Sequence, residues 1–154
     1  MVYDATGSHN LQRFIQAQEG MAEGPSYSTA LLEILSGLKR SHWMWYIFPQ
    51  ISGLGNSFNA QKYAIKSLTE AQHYLEHPIL APRLLEISNA LLNFSNRSSN
   101  DIFGYTDAQK LKSSMSLFYL ISDNQVFLSV INQFYKGHLC GTTVAWHERQ
   151  PLKG

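Results

Sequence analysis

Apolar residues recur at helical spacing along most of the chain. Leu11, Phe14, Ile15 and Gln18 share one face, with Asn10 placed to cap the segment and Gly20 to stop it. Residues 20–26 read as a loop. A second helix is predicted over 27–38, with Ala30, Leu31, Ile34, Leu35 and Leu38 inward and Lys39 and Arg40 complementing its C-terminal dipole. The segment from Ser41 starts a short helix or turn that Pro49 ends, because a residue before proline leaves the helical region.

Residues 52–57 form a flexible loop, and Ser67 with Glu70 makes a capping box that predicts a helix over about 68–76, stopped by Pro78. Pro82 sits in the first turn of the next helix, which runs through Leu84, Ile87 and Leu91 to Phe94. Residues 95–100 are a polar loop. Asp107 caps a helix whose inner side carries Leu111, Met115, Phe118 and Tyr119. Asp123 or Asn124 caps another, carrying Phe127, Val130, Ile131 and Phe134 inward and ending at Gly137. Thr142 or Thr143 starts a last short helix through Trp146. Only residues 62–66 hint at a strand. The pattern predicts an all-α fold of six to eight helices in a single compact domain spanning residues 1–154, with short flexible ends.

Composition narrows the class. The 154 residues suffice for one hydrophobic core, and a formal charge of +1 lacks the basic excess of non-specific nucleic-acid binding. One cysteine, Cys140, excludes an internal disulfide and fits a reducing compartment. With no charged-then-apolar leader and no apolar run near twenty residues, a cytoplasmic protein without a membrane partner is expected.

Cofactor motifs are absent: neither G-x-S-x-G, a Walker loop nor G-x-G-x-x-G occurs, so no cofactor is expected. His73, Glu76 and His77 match the H-x-x-E-H zinc pattern. Pro78 would leave that pair on a fraying turn, so no metal is expected and a solvated helix end is the reading for His77. Cys140 lies near His138 in sequence, but a nucleophile needs a base placed in space.

The chemistry concentrates elsewhere. Residues 42–50, HWMWYIFPQ, hold two tryptophans, a tyrosine and a phenylalanine. Core packing accounts for Trp43, Tyr46 and Ile47; Trp and Tyr also favour half-open clefts because each carries a polar handle. Together with 63–84, 101–104 and 107–118, the stretch KRSHWMWYIFPQISGLG (39–55) resembles the domain of unknown function 1810 family, over about residues 11–146. The resemblance implies a compact, mostly helical domain and brings no established reaction. Its motif positions here include Arg40, His42, Trp45, Gln50, Gly53, Tyr63, Asp107 and Lys110, whereas His73 falls outside it. Ser114 stands where the family often has cysteine, which argues against an essential thiol there.

Burying His, Gln, Tyr and Lys costs free energy unless each finds a partner. Convergence of these groups on one cleft is therefore expected, holding a nucleotide or ADP-ribose-like small molecule. In that reading Trp45 and Tyr46 stack on a ring, Arg40 and Lys110 meet negative charge, and Gln50 reads a ligand edge. Gly53, Tyr63 and Ser114 complete the ligand-binding set. His42 and Lys110 are the catalytic candidates, since the histidine pKa lies near neutrality. The alternative is a protein-interaction module whose aromatic groove takes a partner helix or peptide.

Overall fold

The computed structural model describes residues 10–151, so the expected flexible ends lie outside the described residues. Among these it contains ten helices, more than the six to eight expected, in an all-α arrangement: α1 (Gln12–Gln18), α2 (Tyr27–Leu35), α3 (Met44–Ile47), α4 (Phe58–Lys62), α5 (Leu68–Glu76), α6 (Leu80–Leu91), α7 (Ser99–Phe103), α8 (Tyr105–Ser122), α9 (Gln125–Tyr135) and α10 (Gly141–Arg149). The two not anticipated, α4 and α7, have five residues each, too few to show an apolar period. Caps define them instead. Ser57 accepts from the Ala60 amide, and Ser98 with Asp101 forms a reciprocal capping box inside the stretch read as a polar loop. The strand hint at 62–66 reduces to one parallel bridge, Ile51 to Ile65.

The long helix α8 is the hub, packing on α5, α7, α9 and α10, while α6 joins α2, α5 and α9. Neighbours on several sides bury an unbroken run from Ser113 to Phe118, so α8 has no single inner face. Its serines let partners approach closely. Ser116 Oγ accepts from the Cys140 amide at 2.8 Å, and Ser113 and Thr143 hydroxyls meet at 2.9 Å, fixing the start of α10.

Helix ends moved where backbone geometry overrode side-chain signals. Gly37, at φ +85°, closes α2 early, so Leu38 leaves the helical face and both Leu35 and Leu38 are exposed rather than inward. The cap position of α1 is Leu11, not Asn10. Gly104, at φ +79°, lets α8 begin directly after α7, which puts Asp107 inside the first turn instead of at the cap.

Two polar clamps fix the aromatic block. The Glu33 carboxylate of α2 accepts from the Arg40 amide (2.8 Å), the Ser41 amide (3.1 Å) and hydroxyl (2.6 Å), and Trp43 Nε1 (2.8 Å). Burial alone would raise this carboxyl; the hydrogen bonds from Ser41, Arg40 and Trp43 outweigh it and hold the pKa below the usual range. Farther on, Arg13 donates to Lys62 and Ala64 carbonyls and to Glu70, whose other oxygen accepts from the Lys66 amide. Ile65 N–H then donates to the Gln50 carbonyl at 2.9 Å. The exit of the block is thereby tied to α1 and α5.

His77 is not a solvated helix end. It is buried, and its Nδ1 accepts from the Ile79 and Leu80 amides, capping the start of α6. Burial lowers its pKa, favouring the neutral ring that can accept.

Two outcomes follow for stability. Glu33→Gln should cost about 1–3 kcal/mol at neutral pH in urea unfolding, because a charged acceptor of four hydrogen bonds is lost. Below about pH 4.5 the unfolded state of the parent protonates this carboxyl before the folded state does. The parent's advantage over Glu33→Gln should therefore shrink as pH falls; a constant gap would exclude the carboxylate's role. For His77 the unfolded state binds more protons below about pH 6.5, so stability should drop as pH falls through that value toward the lower folded pKa. In His77→Asn, whose side-chain oxygen can still cap, that part of the slope should vanish.

Candidate functional site

The segment after α2 turns inward rather than continuing as an exposed helix end. Lys39 N–H donates to the Ile102 carbonyl at 2.8 Å, drawing the chain alongside α7. Its side chain, only 7% exposed, sends Nζ to the Ser41 carbonyl (2.6 Å) and to Asp107 Oδ2 (2.8 Å), over the Trp43 ring at 5.0 Å. The other Asp107 oxygen meets Lys110 Nζ at 3.1 Å, and that ammonium lies 4.4 Å from the Trp45 ring centroid. One carboxylate thus sits between two lysines, each over an indole. Burial would raise the Asp107 carboxyl, but hydrogen bonds and charge from Lys39 and Lys110 prevail and lower it.

Around this triad opens a cleft of about 300 Å³, walled by Lys39, His42, Trp45, Phe103, Asp107 and Lys110. The first turn of α8, Tyr105 and Thr106 included, forms its other side. No side chain caps that helix, whose cap position is Gly104. The first turn of this 18-residue helix, the positive end of its dipole, therefore borders the cleft. One carboxylate against two ammonium groups leaves the site net positive.

A second cleft, of about 250 Å³, holds Gln50, Leu54, Gln109, Ser113 and Cys140, and shares Thr106 and Lys110 with the first. A third hollow, between α5 and the end of α8, carries only Glu76 as a charged group.

The expected site residues divide into three sets. His42, Trp45 and Lys110 line the first cleft, while Gln50 and Lys110 line the second. Tyr46, Tyr63 and Ser114 are in the core. Tyr46 is 4% exposed and donates its hydroxyl to the Pro25 carbonyl at 2.6 Å, in space that only Gly24 leaves open, since a Cβ there would lie 2.1 Å from that oxygen. It cannot stack on a ligand beside Trp45. Tyr63 packs on Tyr46 and Phe14, and the fully buried Ser114 hydroxyl has no hydrogen-bond partner among the described residues. Arg40 and Gly53 line neither cleft: Arg40 is exposed and donates to Ser36 Oγ, and Gly53 serves a turn at φ +92°.

Trp43, Met44, Tyr46 and Phe48 are all buried, whereas Trp45 is half-buried and lines the first cleft. Among the described residues no His/Cys/Asp/Glu group is arranged to hold a metal, and no helix is long and apolar enough to cross a membrane.

Lys39 and Asp107 escaped the sequence reading as members of a site. The i, i+3 pairing of Asp107 with Lys110 was visible. Lys39 was not, because nothing local distinguishes an inward lysine from one at a helix terminus.

The geometry can be set against related proteins. The crystal structure of the conserved hypothetical protein Rv1873 from Mycobacterium tuberculosis is similar, with 42% sequence identity and a TM-score of 0.84 over 90% of this chain and 96% of that one. No curated protein matches the chain. The family model described as "Protein of unknown function (DUF1810)" matches residues 8–146, and the chain belongs to that family.

Proposed function

We propose that the first cleft binds a small molecule joining a flat ring to an anionic group, a nucleotide in chemical class. The observation that carries this reading is the net positive site made by Lys39, Asp107 and Lys110 beside the uncapped start of α8. The anion meets Lys110 Nζ and the first-turn amides. The ring lies against Trp45 and the 70% exposed Tyr105, which takes the place expected for Tyr46. His42, exposed on the rim, is the imidazole placed to exchange a proton with the ligand.

Adenosine, inorganic phosphate and AMP, compared by thermal shift, test this directly. At about ten times its Kd, AMP should stabilise the fold by about 1.4 kcal/mol, raising Tm by about 3–6 °C. Adenosine should do much less. Lys110→Met should abolish the AMP response, and His42→Ala should leave Tm within about 2 °C of the parent because an exposed side chain contributes little to folding. Equal responses to adenosine and AMP, or none to either, contradict the reading.

A further inference from the structure

The two clefts meet at Thr106 and Lys110, one turn apart on α8 and lining both. Their chemistry differs. The first is cationic and aromatic, whereas Lys110 is the sole charge of the second, which otherwise presents the amides of Gln50 and Gln109, the hydroxyl of Thr106 and the Cys140 thiol, with Ser113, its hydroxyl paired to Thr143, at the back. Primary amides carry both donors and acceptors, and with hydroxyls they read neutral polar groups such as the hydroxyls of a sugar.

Gln50 gives this its weight. It is 8% exposed, its backbone carbonyl is held by Ile65, and its side-chain amide has no hydrogen-bond partner among the described residues. Because the side-chain polar atoms that are both buried and unpaired among the described residues are the Ser88 and Ser114 hydroxyls, the Gln50 amide keeps its contact with solvent, on the cleft side. Packing does not demand a glutamine there, yet the residue lines the second cleft at the end of a backbone fixed by the Ile51–Ile65 bridge. Size points the same way. Near 300 Å³ and 250 Å³, each cleft alone lies at or below the small end of ligand pockets, while the two taken together fall inside the usual range.

We infer that one ligand spans both clefts: a bridging diphosphate over Lys110, a flat ring in the first cleft, and a hydroxyl-bearing group held by Gln50 and Gln109 in the second. This rests on the anion-and-ring reading of the first cleft and adds that the anion is a diphosphate internal to the ligand, esterified at each end, rather than a terminal phosphate.

AMP and ADP-glucose separate the two claims, with affinities measured by calorimetry on the full chain. ADP-glucose should bind at least 10-fold tighter than AMP. Gln50→Leu should remove most of that advantage while changing AMP affinity by less than 2-fold, and Gln109→Ala, on an exposed position that does not threaten folding, should reduce it about 3-fold or more. Cys140, the sole cysteine, reports on the second cleft. Saturating ADP-glucose should slow its alkylation by iodoacetamide at least 5-fold, and saturating AMP should slow it less than 2-fold. AMP binding with no gain from ADP-glucose, or equal losses for both ligands in Gln50→Leu and Gln109→Ala, overturns the spanning ligand and leaves the first-cleft reading standing. Binding of neither compound overturns both.

Discussion

The partly buried ion pair between Lys39 and Asp107 is the constraint on which the site depends. It joins the segment entering the aromatic block to the first turn of the longest helix, at 2.8 Å and with the lysine almost wholly out of water. Desolvating two such charges consumes much of what their attraction returns, so the pair is poor evidence for stability and better evidence for specified geometry. Its consequence is positional. With Asp107 committed to Lys39, its second oxygen holds Lys110 over Trp45, and the cleft acquires a fixed cationic head.

Other contacts prepare that pair. Glu33 gathers the amides of Arg40 and Ser41 and the Trp43 indole, which sets the path of the chain through the residues that bear His42 and Trp45. The Lys39 amide reaches Ile102 just before Gly104 turns the chain from α7 into α8. A positive φ at that glycine allows the short connection, and it leaves α8 without a side-chain cap at the end that faces the cleft. Packing, backbone conformation and charge thus converge on one surface.

Much of the fold was legible because periodicity and caps are local. The helix expected over 68–76 has those bounds, and Asn124 does cap α9 through its side chain. Failures came where a distant partner decided the outcome. Glu70 looked like half of a capping box; Ser67 does accept from its amide, but the Glu70 carboxylate goes to Arg13 and the Lys66 amide. His77 looked like a frayed terminus, yet it caps the following helix from a buried position. Within the site, Trp45 and Lys110 could be nominated from residue type; Tyr46 shared the core face of Trp43 and Ile47, and what no spacing rule announces is the gap at Gly24 that lets its hydroxyl reach the Pro25 carbonyl.

The most direct test of the central claim is an NMR titration of the ¹⁵N-labelled protein with AMP, reading every backbone amide and the tryptophan indoles. Shifts concentrated on Tyr105, Thr106 and Asp107 and on the Trp45 indole are the expected result. Shifts centred on the hollow near Leu75 and Ile121, or spread without a focus, would contradict a ligand held between Lys110 and the start of α8.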